Sequence, residues 1–292
     1  MKKPAHITHV NGVETSAINI ADRGLAYGDG LFETMRIVQG QIPLLKWHLK
    51  RFLRGVEVLG LGPIDDLQRD FLKYLTIALD EIKNDACLDT SILKLIVTRG
   101  SNGRGYMPPI DPQCQFVVQV FDLPDYPEIY RQQGIELKEC EYRLAFQPQL
   151  AGIKHLNRLD QVLASQELLG QPEGLMLDYQ DRVIEGTKSN LLMLSQNKVI
   201  TPNLDACGVQ GVLRDALMAA SSEKGSELAV PFLERDINFD ELKSCDGLAM
   251  INSVFGLWPV RTLKCADGQE INYKLHPQCE IIQQYLKQHF LF

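Results

Sequence analysis

One lysine in the sequence combines a short tether with apolar neighbours. Lys154 follows the small and apolar residues 150–153 and precedes a segment, residues 156–163, whose leucines and valine recur at helical spacing. Apolar surroundings lower the pKa of an ammonium group, because burial disfavours the charged form, and they suit an amine that attacks a carbonyl. For a single lysine, a solvated position beside a helix start is the commoner arrangement, so the rest of the sequence must decide.

A second set of polar side chains follows a glycine-rich stretch. Residues 22–30 contain three glycines, which allow the backbone to turn tightly. The next residues, 31–38, predict a strand, and alternation places Phe32, Thr34 and Arg36 on one face. An aromatic ring, a hydroxyl and a cation together are typical of a pocket wall, although a half-exposed edge strand would show the same pattern.

A glycine-rich loop with two arginines lies further along the chain, in the order Arg99-Gly-Ser-Asn-Gly-Arg104-Gly-Tyr106. It lacks the Gly-Lys-Ser/Thr ending of a Walker phosphate loop and does not match the dinucleotide fingerprint. Such a loop either folds over a pocket and offers a guanidinium to a carboxylate, or it is a plain hairpin loop.

Two helices carry further candidates for anion binding. The apolar spacing predicts a helix over about residues 46–59, in which His48 and Arg51 stand three apart. Glycines at 208 and 211 lead into a second predicted helix that ends near residue 222, and backbone N–H groups at such a start bind anions. The ordinary alternatives are a solvated helix face and a plain loop-to-helix junction.

The composition excludes several classes of protein. The 292 residues are 45% hydrophobic and 23% charged, which is typical of globular proteins, and the net charge of −7 argues against nucleic acid or an anionic membrane as a partner. No window approaches the roughly 20 apolar residues of a membrane span, and the first residues lack the apolar core of a signal peptide. Seven scattered cysteines without a Cys-x-x-Cys pair predict neither a metal site nor a disulfide framework, and favour a reducing cytoplasm.

The order of predicted elements favours an α/β protein with two domains. Short strands are predicted at residues 7–10 and 16–20, around an Asn-Gly turn. A proline-rich stretch at 123–127 separates two halves that each mix strands with helices. We therefore expect a smaller N-terminal α/β domain over residues 1–122, a linker over 123–132, and a larger C-terminal α/β domain over 133–292 that carries Lys154.

Taken together, these segments resemble the fold-type IV, or branched-chain-aminotransferase-like, pyridoxal phosphate enzymes along essentially the whole chain. The matching motifs, in order, are Tyr27-Gly-Asp-Gly-Leu-Phe-Glu-Thr34, His48-Leu-Lys-Arg51-Phe, Lys154, Glu185-Gly-Thr-Lys-Ser-Asn190 and Gly211-Val-Leu-Arg214. The lysine segment and the glycine-rich loop are most similar to those of the family's aminodeoxychorismate lyases.

The resemblance implies a site for pyridoxal 5'-phosphate in the cleft between two α/β domains. It implies that Lys154 holds this cofactor as a Schiff base and that Glu185 faces the pyridine nitrogen. The cofactor phosphate would be bound by the Arg51 side chain and by three position matches, which are the backbone N–H groups of Val212 and Leu213 and the residue Ser253.

The resemblance also implies a reaction, the release of pyruvate from 4-amino-4-deoxychorismate to leave 4-aminobenzoate, on the path to folate. Lys154 would move the proton, and Thr34 would assist where branched-chain transaminases typically have glycine. Substrate contacts would come from Phe32 and from the loop residues Arg104 and Tyr106, with Arg36 and Arg99 as further carboxylate partners.

Two alternatives stay open. One is a D-amino-acid or branched-chain amino-acid transaminase of the same fold, and the other is a non-catalytic pyridoxal phosphate binding protein. Tyr106 stands where D-amino-acid transaminases place a histidine, which favours the lyase. The family resemblance further implies a homodimer with a small-molecule substrate, whereas the composition favours a cytoplasmic location and no nucleic-acid or membrane partner.

Overall fold

The computed structural model describes residues 5–83, 88–101, 103, 105–195, 198–223, 225–228 and 230–292. It divides into two compact units. The first unit comprises Met1–Pro124 and Ile153–Asn157, and the second comprises Asp125–Gly152 and Arg158–Phe292.

The first unit is built on a five-stranded antiparallel sheet. Its strand order is β2-β1-β5-β4-β3. The strands are β1 (Ile7–Val10), β2 (Val13–Glu14), β3 (Gly30–Val38), β4 (Thr90–Thr98) and β5 (Gln115–Asp122), and the helices are α1 (Arg23–Tyr27), α2 (Leu45–Leu59) and α3 (Ile64–Lys83).

The predicted second strand at residues 16–20 is wrong. Val10 pairs with Val13, so the chain reverses within two residues and β2 follows at once. Asn11 and Gly12 both have positive φ, of 53° and 78°, as a two-residue hairpin turn requires. Residues 16–20 then run outside the sheet.

Apolar faces of α2 and α3 pack in the first unit as their spacing predicts. The Phe52 and Phe71 rings lie 4.7 Å apart, and Val56, Leu75 and Ile82 are buried beside them. The same face of α2 also buries His48 and Arg51, so the solvated helix face is excluded for these two residues.

The second unit is built on a nine-stranded mixed sheet. Its order is β11-β10-β9-β12-β13-β6-β7-β8, with β14 paired to β13. The strands are β6 (Ile135–Leu144), β7 (Glu173–Asp178), β8 (Val183–Gly186), β9 (Asn190–Ser195), β10 (Lys198–Pro202), β11 (Phe232–Arg235), β12 (Gly247–Asn252), β13 (Gly256–Lys264) and β14 (Glu270–Asn272). The helices are α4 (Ile129–Gln132), α5 (Leu159–Gln166), α6 (Val212–Ser222), α7 (Phe239–Lys243) and α8 (Pro277–Phe290).

The core of the second unit lies against its sheet. The Phe255 and Trp258 rings stack at 3.7 Å, and Leu175, Leu191 and Met250 from neighbouring strands are fully buried. Strands β7 and β8 are buried along their whole length, which places the polar residues at their ends in a protected setting.

The segment around Lys154 differs from its prediction in two ways. Residues 153–157 are not helical and group with the first unit, whereas the sequence placed Lys154 in the C-terminal domain. The helix begins only at Leu159, and its apolar residues Leu159, Val162 and Leu163 are exposed. Backbone hydrogen bonds and one isolated bridge to β3 accompany the first difference, because they bind the segment to the first unit.

Within the described ranges, no helix is long and apolar enough to cross a membrane, and no cluster of three or more His, Cys, Asp or Glu residues could hold a metal ion. The six cysteines in those ranges are free thiols, and Cys87 lies outside them.

Candidate active site

The backbone of the Lys154 segment is fixed against β3. Phe32 donates its N–H to the Lys154 carbonyl at 3.0 Å, and Leu156 donates to the Gly30 carbonyl at 3.0 Å. Gly30 has no room for a side chain, since a Cβ there would lie 2.2 Å from the Val97 carbonyl oxygen. The glycine at the start of β3 therefore allows the backbone of β4 and the Lys154 segment to come close to β3 from its two sides.

The Lys154 side chain lies over the Phe32 ring. Its Nζ is 4.4 Å from the ring centre, within the range of a cation–π contact. The Lys154 side chain is thus held by the same residue that binds its backbone, and the amine stands at the half-buried face of β3.

That face of β3 gathers the predicted pocket-wall residues. Phe32, Thr34 and Arg36 alternate with buried residues and are each half-buried. Thr34 is paired across the sheet with Lys94 of β4, whose Nζ lies 5.6 Å from the Phe32 ring centre. Lys94 was missed in the sequence, although a lone lysine within the apolar alternation of residues 91–98 could have marked it.

Glu33 lies on the opposite face of β3, where it meets α2. Its carboxylate accepts hydrogen bonds from Arg51 Nε at 2.8 Å and from His48 Nδ1 at 2.6 Å, and it also pairs with Arg51 Nη2. All three side chains are buried. Arg51 is therefore oriented by a bidentate ion pair, a geometry that suits a guanidinium with a fixed direction.

The charge state of this triad follows from its contacts. Burial by itself raises the pKa of Glu33, but the Arg51 guanidinium and the hydrogen bonds from Arg51 and His48 outweigh it and lower the pKa to about 2. Burial lowers the pKa of His48, and Arg51 and Lys154 add to this, which outweighs the pull of Glu33. A neutral His48 then donates from Nδ1, and its Nε2 is an acceptor.

The second unit holds Glu185 in a network of donors. Glu185 is buried at the end of β8, where Val209 donates its N–H to Oε2 at 2.8 Å and Gln161 donates to Oε1 at 3.2 Å. Burial lowers the pKa of Arg158, and the Glu185 charge counteracts this lowering. Gln161 was not predicted as a site residue. Nothing in the sequence pattern of α5 distinguishes it from a solvated polar residue of that helix.

The start of α6 has the form of an anion site. Gly211 is its N-cap and makes no side-chain capping bond, and the first helical residues, Val212 and Leu213, are buried. Ser253 follows β12 directly and is half-buried. These three residues stay candidates for phosphate contact.

The glycine-rich loop is only partly described. Arg104 lies outside the described residues, and Tyr106 is 86% exposed with its ring 5.4 Å from that of Tyr27. Arg99 bonds Asp29 at 2.8 Å and the carbonyls that end α2, Leu59 and Gly60, at 2.6 and 2.7 Å. Those contacts give Arg99 a structural role rather than a role as a carboxylate partner.

The comparisons with known proteins place this chain in a family. The family described as amino-transferase class IV matches residues 30–263. The chain belongs to the amino-transferase class IV family. Enzymes of this family use pyridoxal phosphate, and the predicted family, fold class and cofactor are confirmed at that level.

Relatives within the family include both lyases and transaminases. The chain is 32% identical to an aminodeoxychorismate lyase of Vibrio harveyi over 89% of this chain and 92% of the relative. The crystal structure of 4-amino-4-deoxychorismate lyase from Pseudomonas aeruginosa superposes with a TM-score of 0.86 and 38% identity, covering 98% of this chain and all of that one. The Escherichia coli branched-chain amino acid aminotransferase shares the fold at a TM-score of 0.80 and 20% identity, over 98% and 95%.

The chemistry of the donor set fits the family cofactor. Pyridoxal phosphate presents an aldehyde, a phosphate and a pyridine nitrogen. The chain has an amine, Lys154, and an oriented guanidinium, Arg51. It also has a buried carboxylate, Glu185, and the helix α6, whose N-cap is a glycine.

Proposed function

We propose that this chain is an aminodeoxychorismate lyase, which converts 4-amino-4-deoxychorismate into 4-aminobenzoate and pyruvate. The observation that carries the proposal is the similarity to the Pseudomonas aeruginosa lyase along the full length of both chains. The half-buried Thr34 hydroxyl on the same face of β3 as Phe32, over which Lys154 lies, supports it, as does Lys94 beside it.

Pyridoxal phosphate, when bound, supplies an electron sink for a carbanion next to nitrogen. Lys154 would hold the cofactor through Nζ, and Glu185 would keep the pyridine nitrogen protonated. The Arg51 guanidinium, the N–H groups of Val212 and Leu213, and Ser253 would bind the phosphate. The Glu33 ion pair fixes the direction of Arg51.

The reaction on the substrate is an elimination. Lys154 Nζ, when it is not attached to the cofactor, takes the proton from the ring carbon that bears the amino nitrogen. The carbon–oxygen bond to the enolpyruvyl group on the neighbouring ring carbon breaks, and the ring becomes aromatic. One proton reaches the methylene carbon, which gives pyruvate, and the other product is 4-aminobenzoate.

Thr34 assists the proton transfer. A hydroxyl both donates and accepts a hydrogen bond, so it relays a proton between Lys154 and the leaving group without acting as the base itself. Its place two residues along β3 from Phe32, over which Lys154 lies, supports this role.

Cations and aromatic rings select the substrate. The substrate carries two carboxylates, and we assign Arg36, Arg104 and Tyr106 to binding them, with Phe32 against the ring. Lys94 adds a cation to the Thr34 face of the sheet. Tyr106 lies in the part of its loop that the Arg23 guanidinium holds through the Gly105 and Tyr106 carbonyls, each at 3.0 Å.

The second candidate is a transaminase, and the D-alanine aminotransferase of Staphylococcus epidermidis, 25% identical over 88% of this chain and 86% of the relative, keeps it open. Our proposal also includes assembly as a homodimer, a cytoplasmic location and a role in folate biosynthesis. The domain limits at residues 122 and 133 belong to it as well.

A coupled assay tests the proposal. Chorismate, glutamine and an aminodeoxychorismate synthase supply the substrate, and 4-aminobenzoate is followed by fluorescence. Product that depends on this chain supports the lyase. A cofactor-loaded protein that forms no 4-aminobenzoate but transfers amino groups to 2-oxoglutarate would favour the transaminase, and a protein that binds no cofactor would contradict both.

A further inference from the structure

Two side chains bind the backbone of Val209, one at its N–H and the other at its carbonyl. The Val209 N–H donates to Glu185 Oε2 at 2.8 Å, and the Val209 carbonyl accepts from Asn190 Nδ2 at 2.9 Å. Val209 lies two residues before Gly211, the N-cap of α6. One short segment therefore connects Glu185 with the start of the helix.

Asn190 also sets the close packing at Gly211. A Cβ built on Gly211 would lie 1.8 Å from Asn190 Oδ1, whereas the nearest atom outside Asn190, the Arg214 Cβ, is 3.7 Å away. Gly211 has φ −70° and ψ 135°, a conformation that any residue adopts. The need for glycine here comes from Asn190 and not from the backbone.

Hydrogen bonds to Glu173 support the position of Asn190. The fully buried Glu173 carboxylate accepts the Thr187 N–H at 3.0 Å and the Ser189 hydroxyl at 2.8 Å. These bonds fix the turn between β8 and β9, which lies between Glu185 and Asn190. The turn therefore presents both side chains to Val209 in a set geometry.

We propose that Asn190 is a positioning residue, which holds the first turn of α6 in place so that its N–H groups bind the cofactor phosphate. This inference rests on the proposed function, which assigns those N–H groups to the phosphate. Asn190 touches neither reacting atoms nor, on this account, the cofactor. It acts through Val209 and Gly211.

The test compares two ligands of the apoprotein, pyridoxal phosphate and pyridoxal, which share the aldehyde and the ring and differ in the phosphate. Asn190→Ala should raise the Kd for pyridoxal phosphate about tenfold, because a partly buried hydrogen bond to the Val209 carbonyl is lost. The Kd for pyridoxal should stay as in the wild type. Asn272→Ala, an exposed asparagine of β14, should change neither value.

A second variant keeps the test decisive if Asn190→Ala folds poorly. Gly211→Ala places a methyl group against Asn190 Oδ1 and should also weaken pyridoxal phosphate selectively. In the double variant the obstructing side chain is gone, so the added methyl should cost nothing beyond Asn190→Ala alone. Thermal unfolding of each apoprotein reports any general loss of structure.

Equal losses of affinity for both ligands, or additive losses in the double variant, would overturn the role of Asn190. A phosphate-selective, non-additive pattern would support it. The same pattern in a protein that forms no 4-aminobenzoate would support the role of Asn190 and contradict the proposed reaction, so the two failures are distinct.

Discussion

Phe32 and Lys154 make two contacts with each other, a backbone hydrogen bond and a cation–π contact. The Phe32 N–H donates to the Lys154 carbonyl at 3.0 Å, and the Lys154 Nζ lies 4.4 Å from the centre of the Phe32 ring. A lysine held at both its backbone and its amine loses little further freedom when the amine reacts. The pairing makes β3 the element that positions the proposed nucleophile.

Removal of the amine should abolish both cofactor attachment and turnover. We expect Lys154→Ala to show no lyase turnover and no visible absorbance of a covalently held cofactor, because both need the same Nζ. The measurements are the absorbance spectrum and 4-aminobenzoate formation.

Lys50→Ala is the matched control, since Lys50 also lies over an aromatic ring, 5.4 Å from that of Trp47, but is exposed on α2. Turnover retained by Lys154→Ala would remove this residue from the mechanism.

Thr34 should matter more for elimination than for amino transfer. Thr34→Ala removes the hydroxyl that relays a proton, and we expect a loss of lyase kcat of about 100-fold, with a smaller loss of any transaminase rate. Thr34→Ser keeps the hydroxyl and should recover most of the lyase rate. Equal losses of both rates would show that Thr34 only shapes the pocket.

Lys94 should contribute to substrate binding. It is the cross-strand partner of Thr34 and places a cation on the same face as Phe32. Lys94→Met keeps the apolar stem and removes the charge, so we expect KM to rise about tenfold while the Kd for pyridoxal phosphate stays unchanged. Weakened cofactor binding, with KM unaffected, would assign Lys94 to a different role.

The Glu33 ion pair should appear in the pH dependence of stability. The folded-state pKa of Glu33 is about 2, below its ordinary value of 4.5, so the stabilisation is complete above pH 4.5 and is lost as the pH falls towards 2. The difference corresponds to about 3 kcal/mol of the free energy of unfolding.

Glu33→Gln should therefore be less stable at pH 7 and should lose less stability on acidification than the wild type, as measured by urea unfolding across this range. Glu141→Gln, at an exposed position, is the control. Parallel pH profiles for Glu33→Gln and the wild type would contradict the ion pair.

Local patterns in the sequence were enough to predict β3, α2 and the candidate amine. The alternation of Phe32, Thr34 and Arg36 with buried residues appears in the structure as predicted, because strand alternation is a local property. The helix after Lys154 was predicted too early. The hydrogen bonds to β3 are long-range interactions, and they keep residues 153–157 out of the helix.

The partners of the predicted residues could not be found from spacing. Glu33 meets Arg51 only because α2 packs on the buried face of β3, and Gln161 reaches Glu185 across 24 residues. The same holds for Asn190 and Val209. Motifs pointed to Arg51, Glu185 and Asn190, and tertiary packing decides which atoms they meet.

The most direct test of the lyase assignment is the stoichiometry of products from purified 4-amino-4-deoxychorismate. The protein loaded with pyridoxal phosphate, without any 2-oxo acid, is allowed to react, and 4-aminobenzoate and pyruvate are quantified in the same samples. We predict equal amounts of the two, formed at a rate proportional to protein concentration and absent with Lys154→Ala. Pyruvate and 4-aminobenzoate no higher than in the protein-free control would contradict the assignment.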